Sequence, residues 1–419
     1  MFEIARREAR EISSIKGWLL LYGRRKVGKT FLLRKSVRPQ AYILVTKVGN
    51  AIVEENEKSV EMSIDEAMNR VEALAKEGGC VIIDEFQRLR KGEWDRISLL
   101  HPDGRIIASG SSNRLVEDVF SKKSQLLGFF SPMHLDIASY ADAVTSLKQA
   151  GMGSKDALVW GAVVRDPWII PMVDLEMDAS SEIAKKAKYM VMSVNGLVGE
   201  IFEEEDRALT AVYDSILRLV GSGMWKPAEI ANVLSSNGMI GGGVATVIGV
   251  MSRLSDMGLI RKIPLWKTKG SRFYYRSSSP IVSMLYYLDQ KYSISEQNYT
   301  VDDRIVNMLM GKELQFCIGS LMAQSLSGRE SYTVLEGGEG DIDIVVLDKR
   351  GKNAIKGYEV KMGPISRKEA AIAVDRMHRH GINNTGLISI RERPEAPDGS
   401  TELIGPEDLV RIAGSLSGK

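Results

Sequence analysis

Eight consecutive residues, Gly23-Arg24-Arg25-Lys26-Val27-Gly28-Lys29-Thr30, carry the spacing G-x-x-x-x-G-K-T. Glycines at the first and sixth positions permit backbone angles that side chains forbid, so successive N–H groups can turn inward around a polyphosphate. The apolar run Trp18 to Tyr22 precedes the loop, and Phe31-Leu32-Leu33-Arg34-Lys35 follows it as the first turns of a helix. Strand, loop and helix in that order put a helix N-terminus behind the phosphates, where its partial positive charge favours them. The spacing therefore predicts that Gly23 through Thr30, with Phe31, bind a nucleotide. Lys29 is expected to reach the β- and γ-phosphates, and the Thr30 hydroxyl to ligate Mg²⁺. Further along, Cys80-Val81-Ile82-Ile83-Asp84-Glu85 is a β-branched apolar run ending in two carboxylates. That pattern reads as a buried parallel strand whose acids sit at its C-terminal edge, beside the phosphate loop. Asp84 would hold the Mg²⁺ through water, and Glu85 would orient or deprotonate an attacking water. The chemistry implied is binding and hydrolysis of ATP or GTP.

A second constellation lies in the last third. Asp341 to Leu347 reads as a strand headed by Asp341 and Asp343; Asp348 to Asn353 makes a turn, and Ala354 to Lys361 forms the partner strand. Side chains repeat every two residues along a strand, so Asp343 can lie across from Glu359 with Lys361 on the same face as Glu359. Two carboxylates and a lysine so placed can bind a divalent metal and position a water for attack on phosphate. Glu313, in a predicted helix over Gly311–Gln324, is a further candidate ligand. The arrangement D…E-x-K resembles the PD-(D/E)xK restriction-endonuclease-like superfamily, as do the predicted helix Ser366–His380 and strand Thr385–Ile390 that follow.

The elements that must position these residues follow from patterning. Ala41–Val45 reads as a second strand, Ser63–Lys76 as an amphipathic helix, and Arg105–Asn113 as another buried strand ending in small polar residues. Residues 1–16 read as a charged helix. From Ala208 onward the pattern changes: helices at Val212–Val220, Lys226–Leu234 and Val244–Met257 precede strands at Gly258–Pro264 and Arg272–Arg276. Three helices followed by a hairpin form a winged helix, a fold that places its third helix in a DNA groove. The hairpin is basic (Arg261, Lys262, Lys267, Lys269, Arg272), but the third helix offers only Thr246, Ser252 and Arg253 among apolar and small residues.

At 419 residues the chain is long enough for two or three cores, and its 44% hydrophobic and 26% charged content is that of a globular protein. A net charge of +2 leaves any affinity for nucleic acid to local patches. The two cysteines, Cys80 and Cys317, stand in apolar surroundings and read as core residues; four histidines without metal-binding spacing argue against a zinc site. No apolar run approaches the roughly 18 residues of a membrane span and no signal-peptide pattern opens the chain, so a cytoplasmic location and no membrane partner are expected.

Taken together, Gly23–Thr30, Ile82–Leu89 (I-I-D-E-F-Q-R-L) and Ile106–Asn113 (I-I-A-S-G-S-S-N) resemble the archaeal ATPase family, P-loop proteins of the AAA+/STAND grouping, over roughly residues 1–290. The resemblance implies an α/β fold: a P-loop NTPase parallel sheet over 1–140, a helical lid over 141–207, a winged helix over 208–290, and a C-terminal α/β nuclease-like domain over 300–419. It also implies a sensor at the end of the Arg105–Asn113 strand, with Ser111 first and Ser109 and Asn113 as alternates. Gln87 belongs to the family's second motif. Where the family carries a candidate γ-phosphate arginine, this chain has Phe129, so Arg114 or an arginine of a neighbouring subunit would have to serve. The function expected is an ATP- and Mg²⁺-dependent protein coupled to a module that binds or cleaves double-stranded DNA. The alternative is a STAND-type nucleotide-gated switch, with homo-oligomer formation possible and a C-terminal domain used only for docking.

Overall fold

The computed structural model describes residues 2–111, 113–205, 210–268, 272–297, 299–334, 341–395 and 399–417. Lys269 and the Asn113 side chain lie outside the described residues. The first half comprises α1 (Glu8–Ser14), β1 (Leu19–Tyr22), α2 (Lys29–Ser36), β2 (Ala41–Val45), β3 (Asn50–Glu55), β4 (Lys58–Ser63), α3 (Ile64–Lys76), β5 (Cys80–Asp84), α4 (Lys91–Ser98), β6 (Arg105–Gly110), α5 (Asn113–Val119) and β7 (Ser131–His134). Their sheet has the order β4-β3-β2-β5-β6-β1-β7. Strands β2, β5, β6, β1 and β7 are parallel, whereas β3 and β4 run antiparallel.

The parallel strands are apolar throughout because both sheet faces are covered. Leu20, Ile43, Ile83 and Ala108 enter the core on one face, and Leu19, Leu21, Tyr42, Ile82 and Ile107 the core on the other. One strand, β6, separates β1 from β5, so the acids of β5 come to the phosphate loop across β6 and not from the adjoining strand.

Two departures from the sequence reading stand out. The β3–β4 hairpin is not among the expected elements, because β4 (Lys58-Ser59-Val60-Glu61-Met62-Ser63) is an exposed edge strand whose only apolar positions are Val60 and Met62. The N-terminal helix is shorter than expected and covers only Glu8–Ser14. Ala5 N–H donates to Ser146 Oγ at 2.9 Å, and the Arg6 guanidinium donates to the carbonyls of Val27 and Asp136 at 3.0 and 2.8 Å. These bonds hold residues 2–6 extended along the phosphate loop.

The second half continues with α6 (Tyr140–Gln149), α7 (Ser154–Val164), a 3₁₀ turn at Pro167–Met172, α8 (Ala179–Glu205), α9 (Thr210–Gly221), α10 (Pro227–Ser236), α11 (Val244–Asp256), the hairpin β8 (Ile260–Pro264) and β9 (Phe273–Ser277), and α12 (Pro280–Tyr292). Then come α13 (Asp303–Ser325), β10 (Arg329–Ser331), β11 (Ile344–Leu347), β12 (Ala354–Lys361), α14 (Arg367–Arg379), β13 (Thr385–Ser389), β14 (Glu402–Ile404) and α15 (Pro406–Leu416). Strands β10 to β14 form a second sheet in sequence order, antiparallel through β12 and parallel beyond it.

This half shares one continuous apolar core, running from Tyr140 and Val144 through Tyr213, Met251 and Tyr286 to Ile318, Ile388 and Ala413. The C-terminal helix α15 returns to pack on α6 and α7. The hairpin is docked on the C-terminal sheet. Trp266 N–H donates to Tyr332 O and Tyr332 N–H to Pro264 O, each at 2.9 Å, while Tyr274 and Phe316 stack 5.6 Å apart beneath them. No helix among the described residues is long and apolar enough to cross a membrane.

Candidate nucleotide site and C-terminal acidic pair

The phosphate loop joins the C-terminal end of β1 to the N-terminus of α2. Gly28 caps that helix at φ +93°, and Lys26 also takes a left-handed angle, φ +64°, so the loop curls as a polyphosphate cradle requires. Gly23 is required for a different reason: a Cβ there would lie 2.0 Å from Leu135 O on the adjoining strand. Lys29 is buried, with Nζ donating to the carbonyls of Gly23 at 2.7 Å and Arg24 at 3.0 Å, across the mouth of the loop. Thr30 Oγ1 donates to Asp84 Oδ2 at 2.7 Å. The hydroxyl and the carboxylate expected to share a magnesium ion are thus already side by side. The Tyr42 hydroxyl donates to the same Asp84 oxygen, and burial, then the Asp84 charge, push the phenol pKa up so that it remains a donor.

Glu85 follows Asp84 in a left-handed conformation, φ +59°, an unusual angle for a glutamate and one found where a functional group must be aimed. Its carboxylate is held by Arg88 at 2.7 Å and by Gln87 Nε2 at 3.0 Å. The same Gln87 nitrogen donates to Ser111 Oγ at 3.1 Å, which ties the candidate sensor to the candidate base. Gly110 makes room for this, since a Cβ there would stand 2.6 Å from Gln87 Oε1. Ser109 pairs in register with Asp84, is fully buried, and its hydroxyl has no hydrogen-bond partner among the described residues. An orphaned hydroxyl beside the acid expected to hold the metal fits a ligand that would complete it.

The loop's arginines are both engaged by carboxylates of the second half. Arg24 forms a buried ion pair with Asp166 at 2.6 Å, and Arg25 reaches Glu200 of α8 at 2.9 Å. Their side chains fasten the loop to the helices after the sheet, leaving their backbone N–H groups to the phosphates. A cavity of about 910 Å³ opens over the loop, lined by Arg25–Leu32, Glu85, the N-terminal segment from Phe2, Thr145, Ser146 and Gln149 of α6, Trp168 and Pro171 of the 3₁₀ turn, and Gly414 and Ser417 at the chain's end. Sequence reasoning reaches only the loop end of this cavity and none of its other walls. Arg6, Trp168 and Ser417 lie in segments without motif, and only long-range folding brings them to the loop.

Phe129 is remote from this cavity. It stacks on His101 at 4.3 Å beside Trp18, at the opposite end of β1 from the phosphate loop, so an arginine there would not reach this chain's own nucleotide. Arg114 is exposed on α5, which starts just beyond Ser111.

In the second half, Ile344 pairs with Tyr358, which brings Asp343 alongside Glu359. Asp343 Oδ2 accepts from Val360 N–H at 2.8 Å. Burial, and after it the Glu359 charge, push the Asp343 carboxyl up to about 7; burial also raises Glu359. The remaining candidates are engaged by opposite charges. Glu359 pairs with Arg376 at 2.6 Å, and Lys361 with Glu369 at 2.5 Å, both partners coming from one face of α14. Glu313 does not join them, since it is buried against Arg276 of the hairpin. Among the described residues no group of three or more His, Cys, Asp or Glu side chains is placed to hold a metal ion. As arranged, this pair does not fit a divalent metal site.

Within this fold, residues 16–133, which carry the phosphate loop and the β5 acids, match the family model described as AAA domain. The match is narrower than the 1–290 suggested by resemblance. No curated protein matches the chain significantly. Among solved structures, similarity is found to Aeropyrum pernix ORC2 in its ADPNP-ADP complexes (15% identity, TM-score 0.40, 68% of this chain and 94% of that one). It extends to Aeropyrum pernix ORC1 in complex with DNA (15%, 0.30, 69% and 93%). A STAND protein with a tetratricopeptide repeat sensor from Pyrococcus horikoshii is also similar (12%, 0.31, 78% and 50%). TM-scores this low carry no inference about activity.

Proposed function

We propose that this protein is a Mg²⁺-dependent ATPase that works as a nucleotide-gated switch, with its C-terminal α/β domain as the element that responds. The observation that carries the ATPase half is Thr30 Oγ1 within 2.7 Å of Asp84 Oδ2 at the foot of the cavity. Lys29 would exchange its two loop carbonyls for phosphate oxygens, and Thr30 and Asp84 would hold the metal, which supplies positive charge to the triphosphate. Glu85 would orient the attacking water once released from Arg88, with Ser111 and Ser109 sensing the γ-phosphate end. The switch half rests on the continuous core that joins the lid to the C-terminal sheet. We read α9–α11 with β8 and β9 as a winged helix used for docking, because its hairpin is already packed on that sheet.

A second reading, a DNA-cleaving enzyme, is favoured by one feature: two adjacent carboxyls whose pKa values are both raised, a pattern frequent at catalytic sites. Phosphate release from Mg·ATP, with sedimentation velocity in ATP and in ADP, tests the first reading. Turnover that disappears in Lys29→Ala, with a nucleotide-dependent change of shape or assembly, supports it. Plasmid DNA incubated with Mg²⁺ or Mn²⁺ tests the second, and nicking lost in Lys361→Ala would establish cleavage in its place.

A further inference from the structure

Residues of the last helix contribute to the lining of the cavity over the phosphate loop. Gly414 and Ser417 line the same space as Lys29 and Thr30, although nearly four hundred residues separate them in sequence. They arrive there because α15 packs on α6, which lines the cavity through Thr145, Ser146 and Gln149, and on α7 behind it. The contact is polar as well as apolar. Asp142 of α6 is fully buried; its Oδ1 accepts from Ser417 Oγ at 3.0 Å, and its Oδ2 has no hydrogen-bond partner among the described residues. A buried carboxylate with a single donor makes the seating of that donor matter. One turn along α6, Ser146 holds the N-terminal segment through Ala5 N–H, so α6 fastens both chain termini around one opening. Thr145 and Trp168 also line the cavity, and Thr145 Oγ1 and Trp168 Nε1 have no hydrogen-bond partner among the described residues.

We propose that α15 is a wall of the nucleotide site, closing its end away from the phosphates, so that occupancy by a nucleoside triphosphate and seating of the C-terminal domain are one equilibrium. This rests on the nucleotide reading above and adds the means by which the C-terminal domain senses the nucleotide. A ligand reaching from Lys29 to α15 bridges the first sheet and the last helix, and it stabilises whichever arrangement of the two it touches together. A ligand confined to the phosphate loop does not.

Gly414 supplies the test, because it is exposed and a Cβ built on it meets nothing within 4 Å, so a side chain there can enter the cavity without disturbing the helix. Calorimetric titration of the full-length protein with Mg·ATP and with Mg·tripolyphosphate is run for the native chain and for Gly414→Trp. The expected result is a loss of ATP affinity of about tenfold or more in the variant, with tripolyphosphate affinity unchanged. Hydrogen exchange of the peptide spanning 406–417 is followed in parallel, in the native chain and in Ser417→Ala. Mg·ATP is expected to slow exchange there and tripolyphosphate to leave it unaltered, with a smaller ATP effect in Ser417→Ala. ATP affinity within twofold of native in Gly414→Trp, or exchange in 406–417 indifferent to ATP, would overturn the role of α15 while leaving the phosphate loop intact. A native chain that binds neither ligand would instead remove the nucleotide reading itself.

Discussion

At the phosphate end, Lys29 and Glu85 act on different steps, and substitution should separate them. Lys29→Ala removes the buried cation that bonds the loop carbonyls of Gly23 and Arg24, and ATP binding should fall below detection by calorimetry. Glu85→Gln keeps the shape and the Gln87 contact but no longer accepts a proton. Binding should survive while turnover drops by about 10²–10⁴; equal turnover would show that another group activates the water. Asp343 makes a prediction about pH. Its carboxyl is raised to about 7 in the folded chain, above the ordinary aspartate range, so folding favours the protonated form. The stability tied to that proton is complete below about pH 4 and is lost as pH rises through 7. Asp343→Asn, which still accepts from Val360, should therefore stabilise the protein by about 1–3 kcal/mol at pH 8 and by almost nothing at pH 4. Urea denaturation at the two pH values measures the difference. Single residues were legible where backbone geometry demands a residue type, as at Gly23 and Gly28, or where a strand ends in acids, as at Asp84. The partners of Arg24, Glu313 and Glu359 were not, since each lies on a separate element that only the fold brings near.

Elements show which interactions hold the site in place. The phosphate loop is tied to the helices above it by Arg24–Asp166, both nearly inaccessible at 4% and 0% side-chain exposure. Removing one member of a buried pair leaves the other charged and unpartnered, at a cost of about 3–5 kcal/mol. Arg24→Ala should thus destabilise the chain by that amount, and Asp166→Asn in the same background should recover part of it. Denaturant midpoints of the two variants decide the matter; if Arg24→Ala costs under about 1 kcal/mol, the pair is not what fixes the loop. The same scale explains where patterning succeeded. Strands β2 and β5 and helices α3, α11 and α14 carry apolar residues at the right period and stand close to their expected bounds. Strand β4 and residues 2–6 do not, because the two apolar positions of β4, Val60 and Met62, and a short segment held by side-chain bonds give too little period to read.

Whole-molecule behaviour turns on the core that runs from α6 to α15. The family resemblance implies modules bounded near residues 207 and 300, as if each buried its own interior. Instead α13 inserts Val306, Met310, Leu314, Ile318, Leu321 and Met322 into the core that α7, α8 and α12 also line. Amphipathic patterning tells that a helix has a buried face, not which partner covers it, and this continuity was therefore invisible in the sequence. At about 1.5–3 kcal/mol per large apolar side chain, those six residues are comparable with the entire stability of a domain, about 5–15 kcal/mol. A chain ending at residue 299 should consequently expose the faces of α7, α8 and α12, bind hydrophobic dyes and lose its cooperative unfolding, though every residue of the phosphate loop remains. The full-length protein should unfold this half in one transition, because its described buried residues from Tyr140 to Ala413 form one continuous apolar cluster. Calorimetric scans of both chains read the outcome: a soluble, cooperatively folding 1–299 fragment with native ATP affinity would mean that the C-terminal domain is an appendage, and the nucleotide-gated switch would have no shared core through which to act.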